Sequence, residues 1–157
     1  MKIKFTTYNT ALGAYQIGCN ETSVVSIRYI DECDDSSAHQ PTQISDQAHA
    51  QLEEYFNGNR TQFDFPIEMI GTDFQKLVWN ALCDIPYGQT RTYKQIAEAV
   101  GNPKACRAVG MANNRNPIAV VVPCHRVIGS NNKLVGYASG VELKKTLLDL
   151  ELTTIQP

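Results

Sequence analysis

The sequence predicts an α+β protein, with a small antiparallel sheet and one helix in residues 1–70 and a mostly helical part in residues 71–157. Two observations predict this class, and a third distinguishes the two parts. Hydrophobic residues alternate along residues 1–31, as they do in half-buried strands. Capping boxes at Thr72 and Thr92 each precede apolar residues at helical spacing. The first part holds 4 basic and 10 acidic residues, whereas the second holds 10 basic and 6 acidic residues. We therefore expect two domains that meet near residue 70.

The first part is predicted to contain two or three antiparallel strands followed by a helix. One strand places three apolar side chains on one face: Val25, Ile27 and Tyr29. Turns are expected at three places: Gly13, Gly18 and residues 19–21. The acidic and polar residues 31–43 predict a loop. A helix is predicted to start at Ser45 and to end at Gly58. One of its faces carries Ala48, Leu52, Tyr55 and Phe56. Residues 61–69 return to an extended pattern.

The second part is predicted to begin with a helix after Thr72, whose hydroxyl can accept from the Gln75 amide while the Gln75 side chain reaches back. Five apolar residues follow on one predicted face: Phe74, Leu77, Val78, Ala81 and Leu82. A turn at residues 86–88 ends this helix. The last predicted helix starts at about Val141 and carries three leucines: Leu143, Leu147 and Leu150. Glu151 shares a face with buried leucines, so we expect it to have a partner, because an isolated buried carboxylate is costly.

Two helices joined by a tight turn predict a helix-turn-helix. The first follows the capping box 92–95 and ends at Gly101. The second is predicted to start with Asn102 as its cap and Pro103 at its first position. Its expected inner stripe is Ala105, Ala108, Val109 and Ala112, and its other face carries Lys104, Arg107, Met111 and Asn114. The small side chains of this helix would let its backbone approach a partner closely, although a tightly packed core helix has the same feature.

Residues 85–135 concentrate positive charge, with seven basic residues and one acidic residue, Glu98. The basic residues are Arg91, Lys94, Lys104, Arg107, Arg115, Arg126 and Lys133. Such a segment is the electrostatic footprint of a polyanion partner, although a solvated face can be equally basic. The arginine in the middle of the open helix face favours nucleic acid.

The composition excludes several other classes. The chain is 43% hydrophobic and 19% charged, as ordinary globular proteins are, and no apolar stretch approaches the length of a membrane span. Five cysteines are spread along it without a Cys-x-x-Cys pair. This pattern favours free thiols in a reducing compartment over a disulfide framework or a zinc site. We therefore expect a cytoplasmic location, no membrane association, no metal and no cofactor.

Cys124 and His125 lie side by side within an apolar run. A cysteine attacks as the thiolate, so its usual pKa of roughly 8.5 must be lowered, or its proton taken by a base. His125 offers a base and Arg126 a positive charge. Adjacent side chains on a strand point to opposite faces, but Pro123 predicts a turn or a strand end. A third group usually orients such a histidine, and Glu151 is the best candidate. The alternative is a buried cysteine beside a structural histidine.

Several short motifs are similar to those of one family. They are Ile85-Pro86-Tyr87-Gly88, Thr92-Tyr93, Gly101-Asn102-Pro103-Lys104-Ala105, Arg107-Ala108-Val109-Gly110, Asn116-Pro117, Val122-Pro123-Cys124-His125-Arg126-Val127 and Gly136-Tyr137. Through them the chain from about Gly71 to Glu151 resembles the O6-alkylguanine–DNA alkyltransferases, also called methylated-DNA–protein-cysteine methyltransferases. Residues 1–70 resemble the family only in layout. The resemblance implies a ribonuclease-H-like first domain and a winged-helix-like second domain.

The resemblance implies a DNA repair reaction in which Cys124 takes the alkyl group from guanine O6 and keeps it, so that each molecule acts once. It leaves open O4-alkylthymine as a second substrate. Glu151, His125 and a water would deprotonate Cys124, and Tyr93 would donate a proton or a hydrogen bond to guanine N3. The partner would be double-stranded DNA, bound through its minor groove by a monomer.

The resemblance also implies residues that hold the DNA and the base. Arg107 would fill the space left by the flipped nucleotide, and the other expected DNA contacts are Thr92, Lys104, Ala105 and Arg115. The expected base pocket comprises Asn116, Val127, Tyr137, Ala138 and Ser139. Asn116 would hold the hinge before the cysteine, and the Ala138 amide would face O6. The family more often has glycine where Ser139 stands, which leaves the tolerance for bulky alkyl groups open.

Two other functions are alternatives to this interpretation. A non-catalytic module, either a helix-turn-helix regulator or an alkyltransferase-like lesion sensor, would use the same basic helices. Those sensors lack the acceptor cysteine, however, and Cys124 is present here. A cysteine hydrolase would need oxyanion donors and an Asn or Asp partner, which the sequence does not place. Some relatives hold zinc through N-terminal residues, but the available side chains do not match those positions: Cys19, Cys33, His39 and His49.

Overall fold

The computed structural model describes residues 2–31, 38–131, 133–134, 137 and 140–155. The chain forms two compact units. The first comprises residues 1–70 and 117–119, and the second comprises residues 71–116 and 120–157. Residues 117–119 belong to the first unit because the Ile27 amide donates to the Pro117 carbonyl and the Ala119 amide donates to the Ile27 carbonyl.

The first unit contains the predicted antiparallel sheet, with three strands in the order β1-β2-β3. The strands are β1 (Lys4–Thr10), β2 (Gly13–Cys19) and β3 (Val24–Asp31). The prediction of a turn at Gly18 is wrong, because this residue lies inside β2. A Cβ atom at Gly18 would come within 2.7 Å of the Phe5 ring. Glycine is therefore needed there for close packing between strands rather than for a turn.

Helix α1 (Gln43–Phe56) packs on this sheet. It begins before the predicted start at Ser45, because Thr42 is the N-cap and forms reciprocal capping bonds with Ser45. The four apolar residues predicted to share a face are all buried: Ala48, Leu52, Tyr55 and Phe56. Gly58, at a φ of 79°, follows the end of the helix as predicted.

Three helices pack together in the second unit: α2 (Asp73–Cys83), α3 (Tyr93–Ala99) and α4 (Cys106–Asn114). Both predicted capping boxes are present. The Thr72 hydroxyl accepts from the Gln75 amide, and the Thr92 hydroxyl accepts from the Gln95 amide. Helices α3 and α4 are the pair predicted as a helix-turn-helix.

The predicted apolar face of α2 is partly wrong, because Leu77 is 55% exposed. The residues that α2 buries are Val78, Trp79 and Leu82. Trp79 orients the helix, because its indole Nε1 donates to the Ala112 carbonyl of α4 at 2.8 Å. Trp79 therefore determines which face of α2 is buried, because its side chain needs both apolar neighbours and a hydrogen-bond acceptor.

Helix α4 begins later than predicted. Asn102 and Pro103 lie in a turn, where the Ala105 amide donates to the Asn102 carbonyl at 3.0 Å. The helix starts at Cys106 and has no side-chain cap. Its buried residues are Val109, Ala112 and Asn113. Ala108, which was predicted on the inner stripe, is exposed, so the open face of α4 is wider than its sequence pattern suggests.

The segment after α4 turns sharply before it reaches Cys124. Val120 has a φ of 72°, a left-handed conformation that is uncommon for a β-branched residue. The remaining elements are β4 (Arg91–Thr92), a 3₁₀ turn (Cys124–Arg126), β5 (Val127–Ile128) and α5 (Val141–Ile155). Strands β4 and β5 pair in parallel, which places the start of α3 beside the chain that leaves the 3₁₀ turn. Among the described helices, none has the length and apolar character of a membrane span.

Candidate active site

Cys124 lies on a tight turn rather than on a strand. Pro123, with φ −82° and ψ 64°, has the geometry of an inverse γ-turn, and the Cys124 amide donates to the Val122 carbonyl at 2.8 Å. The Arg126 amide donates to the Pro123 carbonyl at 3.0 Å and closes the 3₁₀ turn. Three residues make one turn of such a helix, so Cys124 and His125 point in different directions without lying on opposite faces of a strand.

Two asparagines at the end of α4 and just beyond it hold this turn. The Asn116 side-chain amide donates to the Val122 carbonyl at 2.7 Å, and the Asn113 side-chain amide donates to the Cys124 carbonyl at 3.4 Å. Asn113 is buried in α4 and was not among the predicted site residues. Helix α4, which is predicted to contact DNA, and the segment that follows it are thus hydrogen-bonded to the backbone on both sides of Pro123.

His125, Arg126 and Glu151 form a buried hydrogen-bonded cluster. His125 Nε2 lies 2.8 Å from Glu151 Oε2. Arg126 Nε donates to Glu151 Oε1 at 2.9 Å, and Arg126 Nη2 donates to Oε2 at 2.9 Å. The Gly88 amide also donates to Oε1, at 3.1 Å, and Arg126 Nη1 donates to the Ile85 carbonyl at 2.8 Å. The carboxylate that was predicted to need a partner therefore has donors on both oxygens.

The pKa values in this cluster follow from burial and from these bonds. Burial alone would raise the pKa of Glu151, but hydrogen bonds from His125 and Arg126, and their charges, lower it to about 2. Burial lowers the pKa of His125, and the charges of Arg126 and Lys144 act in the same direction against the opposing effect of Glu151. At neutral pH Glu151 is ionised and His125 is neutral, so the Nε2–H of His125 donates to the carboxylate.

The positive charge that acts on the Cys124 thiol comes from Lys144. Arg126 is engaged with Glu151, and the prediction that Arg126 supplies this charge is wrong. Lys144 is completely buried, and its charge lowers the pKa of Cys124. Sequence reasoning missed Lys144, although its spacing was informative. It stands three residues before the buried Leu147 and seven before Glu151, so it shares their face of α5.

The thiol itself is held in its protonated form. Burial raises the pKa of Cys124, and this effect outweighs the hydrogen bonds from Asn116 and Tyr137 and the charge of Lys144, which lower it. The residue is only 6% exposed. The resting thiol is therefore protonated at neutral pH and needs a base before it can attack.

Tyr93 and Lys144 are neighbours at this site. The Lys144 Nζ lies 6.0 Å from the centroid of the Tyr93 ring. Burial and the nearby Cys124 raise the pKa of Tyr93, so its phenol keeps its proton at neutral pH. Gly110 of α4 faces the same ring, since a Cβ atom there would lie 3.9 Å from it. The phenol thus keeps a proton that it can donate, and Tyr93 lies where α3 meets α4.

The residues predicted to line a base pocket are only partly described. Val127 is fully buried, and Tyr137 is 9% exposed. Asn116 and Tyr137 both interact with the Cys124 thiol. Ala138 and Ser139 lie outside the described residues. Three of the five predicted pocket residues therefore have a place in the structure, and two of them contact the thiol.

The predicted DNA contacts lie on the helix-turn-helix. Lys104, Arg107 and Arg115 are exposed, whereas Thr92 and Ala105 are half-buried. The exposed face of α4 carries one large apolar residue, Met111, among small and polar side chains. Cations that stand on an open helix face can reach phosphates.

The four cysteines that the structure describes are free thiols: Cys19, Cys83, Cys106 and Cys124. Cys33 lies outside the described residues. Within the described part of the chain, no group of three or more His, Cys, Asp or Glu side chains is placed to hold a metal ion.

Replacing Lys144 with methionine is expected to stabilise the protein and to make Cys124 less reactive. Burial lowers the pKa of Lys144 from 10.5 to about 8, so the charged side chain costs the folded state about 3 kcal/mol at neutral pH. Because the folded pKa is lowered, this cost is complete below pH 8 and disappears as the pH rises towards 10.5. Methionine fills a similar volume without a charge.

Thermal unfolding at pH 7 and the rate of Cys124 alkylation by iodoacetamide measure the two effects. Lys145→Met is the matched control, because Lys145 is exposed on α5 and pairs with Asp149. The Lys144→Met variant should have the higher Tm and the slower alkylation. A lower Tm, or an unchanged alkylation rate, would mean that the charge of Lys144 is not desolvated or does not act on the thiol.

Comparison with known proteins gives the same family over both units. The model of the 6-O-methylguanine DNA methyltransferase DNA-binding domain matches residues 73–153, and the model of the ribonuclease-like domain matches residues 3–69. A methylated-DNA–protein-cysteine methyltransferase of Methanosarcina barkeri is 63% identical over 105 residues, 67% of this chain and 66% of that protein. The matched part is thus about two thirds of that relative. The protein of the same name from Mycolicibacterium paratuberculosis is 44% identical over 153 residues, 95% of this chain and 92% of that protein.

Solved structures match along most of the chain. The crystal structure of Mycobacterium tuberculosis O6-methylguanine methyltransferase is 41% identical with a TM-score of 0.87, and the match covers 98% of this chain and 94% of that one. The structure of Mycobacterium tuberculosis OGT in complex with DNA is 40% identical with a TM-score of 0.88, over 96% and 94% of the two chains. The predicted α+β architecture is therefore confirmed.

Proposed function

The chain belongs to the 6-O-methylguanine DNA methyltransferase family, and on that premise we propose that it repairs DNA by moving the alkyl group of O6-alkylguanine irreversibly to Cys124. The observation that carries the proposal is the buried contact of His125 with Glu151, at 2.8 Å, beside a buried cysteine. This arrangement gives a protonated thiol the oriented base that nucleophilic attack requires. The proposed activity is that of a methylated-DNA–protein-cysteine methyltransferase. O4-alkylthymine is a second candidate substrate.

The base is His125, acting through the nitrogen that does not contact Glu151. With Nε2–H donating to the carboxylate, Nδ1 accepts the Cys124 proton through one bridging water. Glu151 stabilises the imidazolium that forms, as the carboxylate of a catalytic triad does. Its pKa of about 2 keeps it from taking the proton itself. The charge of Lys144 stabilises the thiolate as it forms.

The transfer is a displacement at the alkyl carbon. The Cys124 sulfur attacks this carbon, a C–S bond forms, and the bond between the carbon and guanine O6 breaks. The electron pair of the broken bond passes to the guanine ring, and Tyr93 donates a proton or a hydrogen bond at N3. The proton that His125 took from Cys124 returns to the ring through water, so guanine ends with its proton on N1 and Tyr93 keeps its own. The product is unmodified guanine and a thioether on Cys124. Because the thioether does not release its alkyl group, each protein molecule acts once.

We assign to the helix-turn-helix, α3 and α4, the role of bringing the alkylated guanine to Cys124. An alkylated guanine inside a duplex must be flipped out of the stack to reach Cys124, at a cost of about a few kcal/mol. Arg107 fills the vacated space, while Lys104 and Arg115 bind phosphates on either side. Helix α4 lies in the minor groove, where affinity depends little on base sequence. The other proposed DNA contacts are Thr92 and Ala105, and the proposed pocket residues are Asn116, Val127, Tyr137, Ala138 and Ser139.

The setting that fits this chemistry is the reducing cytoplasm. An oxidised Cys124 has no thiolate to attack with, and a reducing pool keeps such a thiol free. The proposed partner is double-stranded DNA carrying the lesion, bound by a monomer.

The proposal is tested with a duplex that contains one O6-methylguanine. The wild-type protein should restore guanine only up to the amount of protein present. Arg107→Ala should slow the repair of duplex DNA about tenfold or more, because flipping costs a few kcal/mol. Its reaction with free O6-benzylguanine should not change, since a free base needs no flipping.

Arg28→Ala is the control for the loss of one positive charge, because Arg28 is exposed on β3 of the other unit. It should repair duplex DNA at the wild-type rate. If wild-type protein restores no guanine, the repair function is excluded. If Arg107→Ala slows the reactions with duplex DNA and with free O6-benzylguanine equally, the arginine has no role in flipping.

A further inference from the structure

Met111 has the greatest exposed fraction among the large apolar side chains that the structure describes. It is 57% exposed, although methionine is a large apolar side chain that proteins usually bury. Ala108, three residues earlier on the same exposed face, is small, so the methionine extends further from the helix than this neighbour does. It follows Arg107 by four residues, which places both side chains on the same face, one helical turn apart.

The charges around Met111 indicate what covers it. Lys104, Arg107 and Arg115 are all exposed on or beside α4, and such a cationic surround suits a polyanion rather than an apolar protein partner. A helix that approaches the floor of a groove cannot leave a projecting side chain in water. The methionine must either enter the space between base pairs or hold the helix away from the DNA.

We propose that Met111 is an apolar wedge that enters the minor groove and partly unstacks a base step close to the flipped nucleotide. This inference rests on the proposed function and adds a residue that makes repair depend on the DNA sequence beside the lesion. Methionine is among the side chains that unstack base steps from the minor groove. Its three rotatable bonds also let it fit an irregular gap.

The position of the step follows from helix geometry when α4 is placed along the DNA axis. Four residues of α-helix rise about 6 Å, which equals roughly two base-pair steps of about 3.4 Å. Arg107 occupies the site of the flipped base, so Met111 reaches the DNA about two steps away. Pyrimidine–purine steps such as TA unstack easily, whereas A-tracts are stiff. Lesions with a TA step at that distance are therefore repaired faster than lesions with an A-tract there.

The test compares repair rates on duplexes that differ only in this step, with TA or an A-tract placed two base pairs from O6-methylguanine on either side. Wild-type protein should prefer the TA duplex by about tenfold on one side. In Met111→Ala the ratio of the repair rate on the TA duplex to that on the A-tract duplex should fall to about one. The fall should come from slower repair of the TA duplex. Met111→Leu should keep most of the preference. Free O6-benzylguanine should react equally with all of these proteins.

Leu77→Ala is the matched control, because Leu77 is an exposed apolar residue on α2 and has no assigned role. Its ratio of repair rates on the TA and A-tract duplexes should equal that of the wild type. An unchanged ratio in Met111→Ala overturns the wedge while repair itself stands. Faster repair of both duplexes by Met111→Ala also overturns it, because the methionine would then be an obstacle. No reaction of wild-type protein with any duplex overturns both this inference and the proposed function.

Discussion

Cys124→Ala is expected to abolish alkyl transfer completely while leaving the fold and the binding of damaged DNA in place. Alanine has no atom that can form the thioether, and His125 cannot activate another residue at the same point of the turn. Loss of one buried sulfur should cost only about 1 kcal/mol of stability. The basic face of α4 is untouched. Guanine restoration should therefore be absent, while the affinity for a duplex with O6-methylguanine, measured at fixed salt, should stay near the wild-type value.

Cys83→Ala controls for the loss of a thiol. Cys83 is an exposed free cysteine at the end of α2, so its replacement should leave transfer unchanged. Residual transfer by Cys124→Ala would place the acceptor on a different cysteine. Loss of lesion binding together with transfer would mean that Cys124 is needed for structure and not for chemistry.

Glu151→Gln is expected to slow transfer strongly and also to destabilise the second unit. Glutamine can hydrogen-bond to His125 but cannot compensate the charge of Arg126, which is buried against Ile85. Removing one partner of a buried ion pair typically costs about 3–5 kcal/mol. The imidazolium formed during proton transfer also loses its stabilising charge. Urea unfolding and single-turnover transfer measure the two losses, and Glu142→Gln, on the exposed first turn of α5, is the control.

The pH dependence of stability gives an independent test of the same carboxylate. The folded pKa of Glu151 is lowered from 4.5 to about 2, so its contribution is present above pH 4.5 and is lost as the pH falls towards 2. The shift corresponds to about 3 kcal/mol. Wild-type protein should lose this amount on acidification through that window, and Glu151→Gln should lack the step. An identical acid profile in both proteins would mean that Glu151 is not held as a buried carboxylate.

Elements of the fold that depend on neighbouring residues were predictable from the sequence. The capping boxes at Thr72 and Thr92 need only residues three positions apart, and both are present. The start of α4 was predicted wrongly because Asn102 and Pro103 also suit a turn. The exposure of Leu77 depends on where the Trp79 indole finds its acceptor, which is a contact across 33 residues. No local pattern reports such a contact.

In the candidate active site, too, the sequence predicted some contacts and not others. A carboxylate on a buried helix face needs a partner, so the sequence alone suggested that Glu151 meets His125. Which cation acts on the Cys124 thiol depends on packing between segments that are far apart in the sequence. Arg126 is adjacent to Cys124 in sequence but turns to Glu151, whereas Lys144 comes from α5 and acts on the thiol. Adjacency in the chain was misleading because the 3₁₀ turn rotates each successive side chain.

The central claim is that Cys124 itself receives the alkyl group, once for each molecule. Incubation with an excess of duplex carrying O6-methylguanine, followed by intact mass and peptide mass measurements, tests it most directly. The account predicts that the protein gains the mass of one methyl group, on the peptide that holds Cys124, and that guanine restored equals protein consumed. An unmodified Cys124, a methyl group on another residue, or more guanine restored than protein molecules present would contradict it.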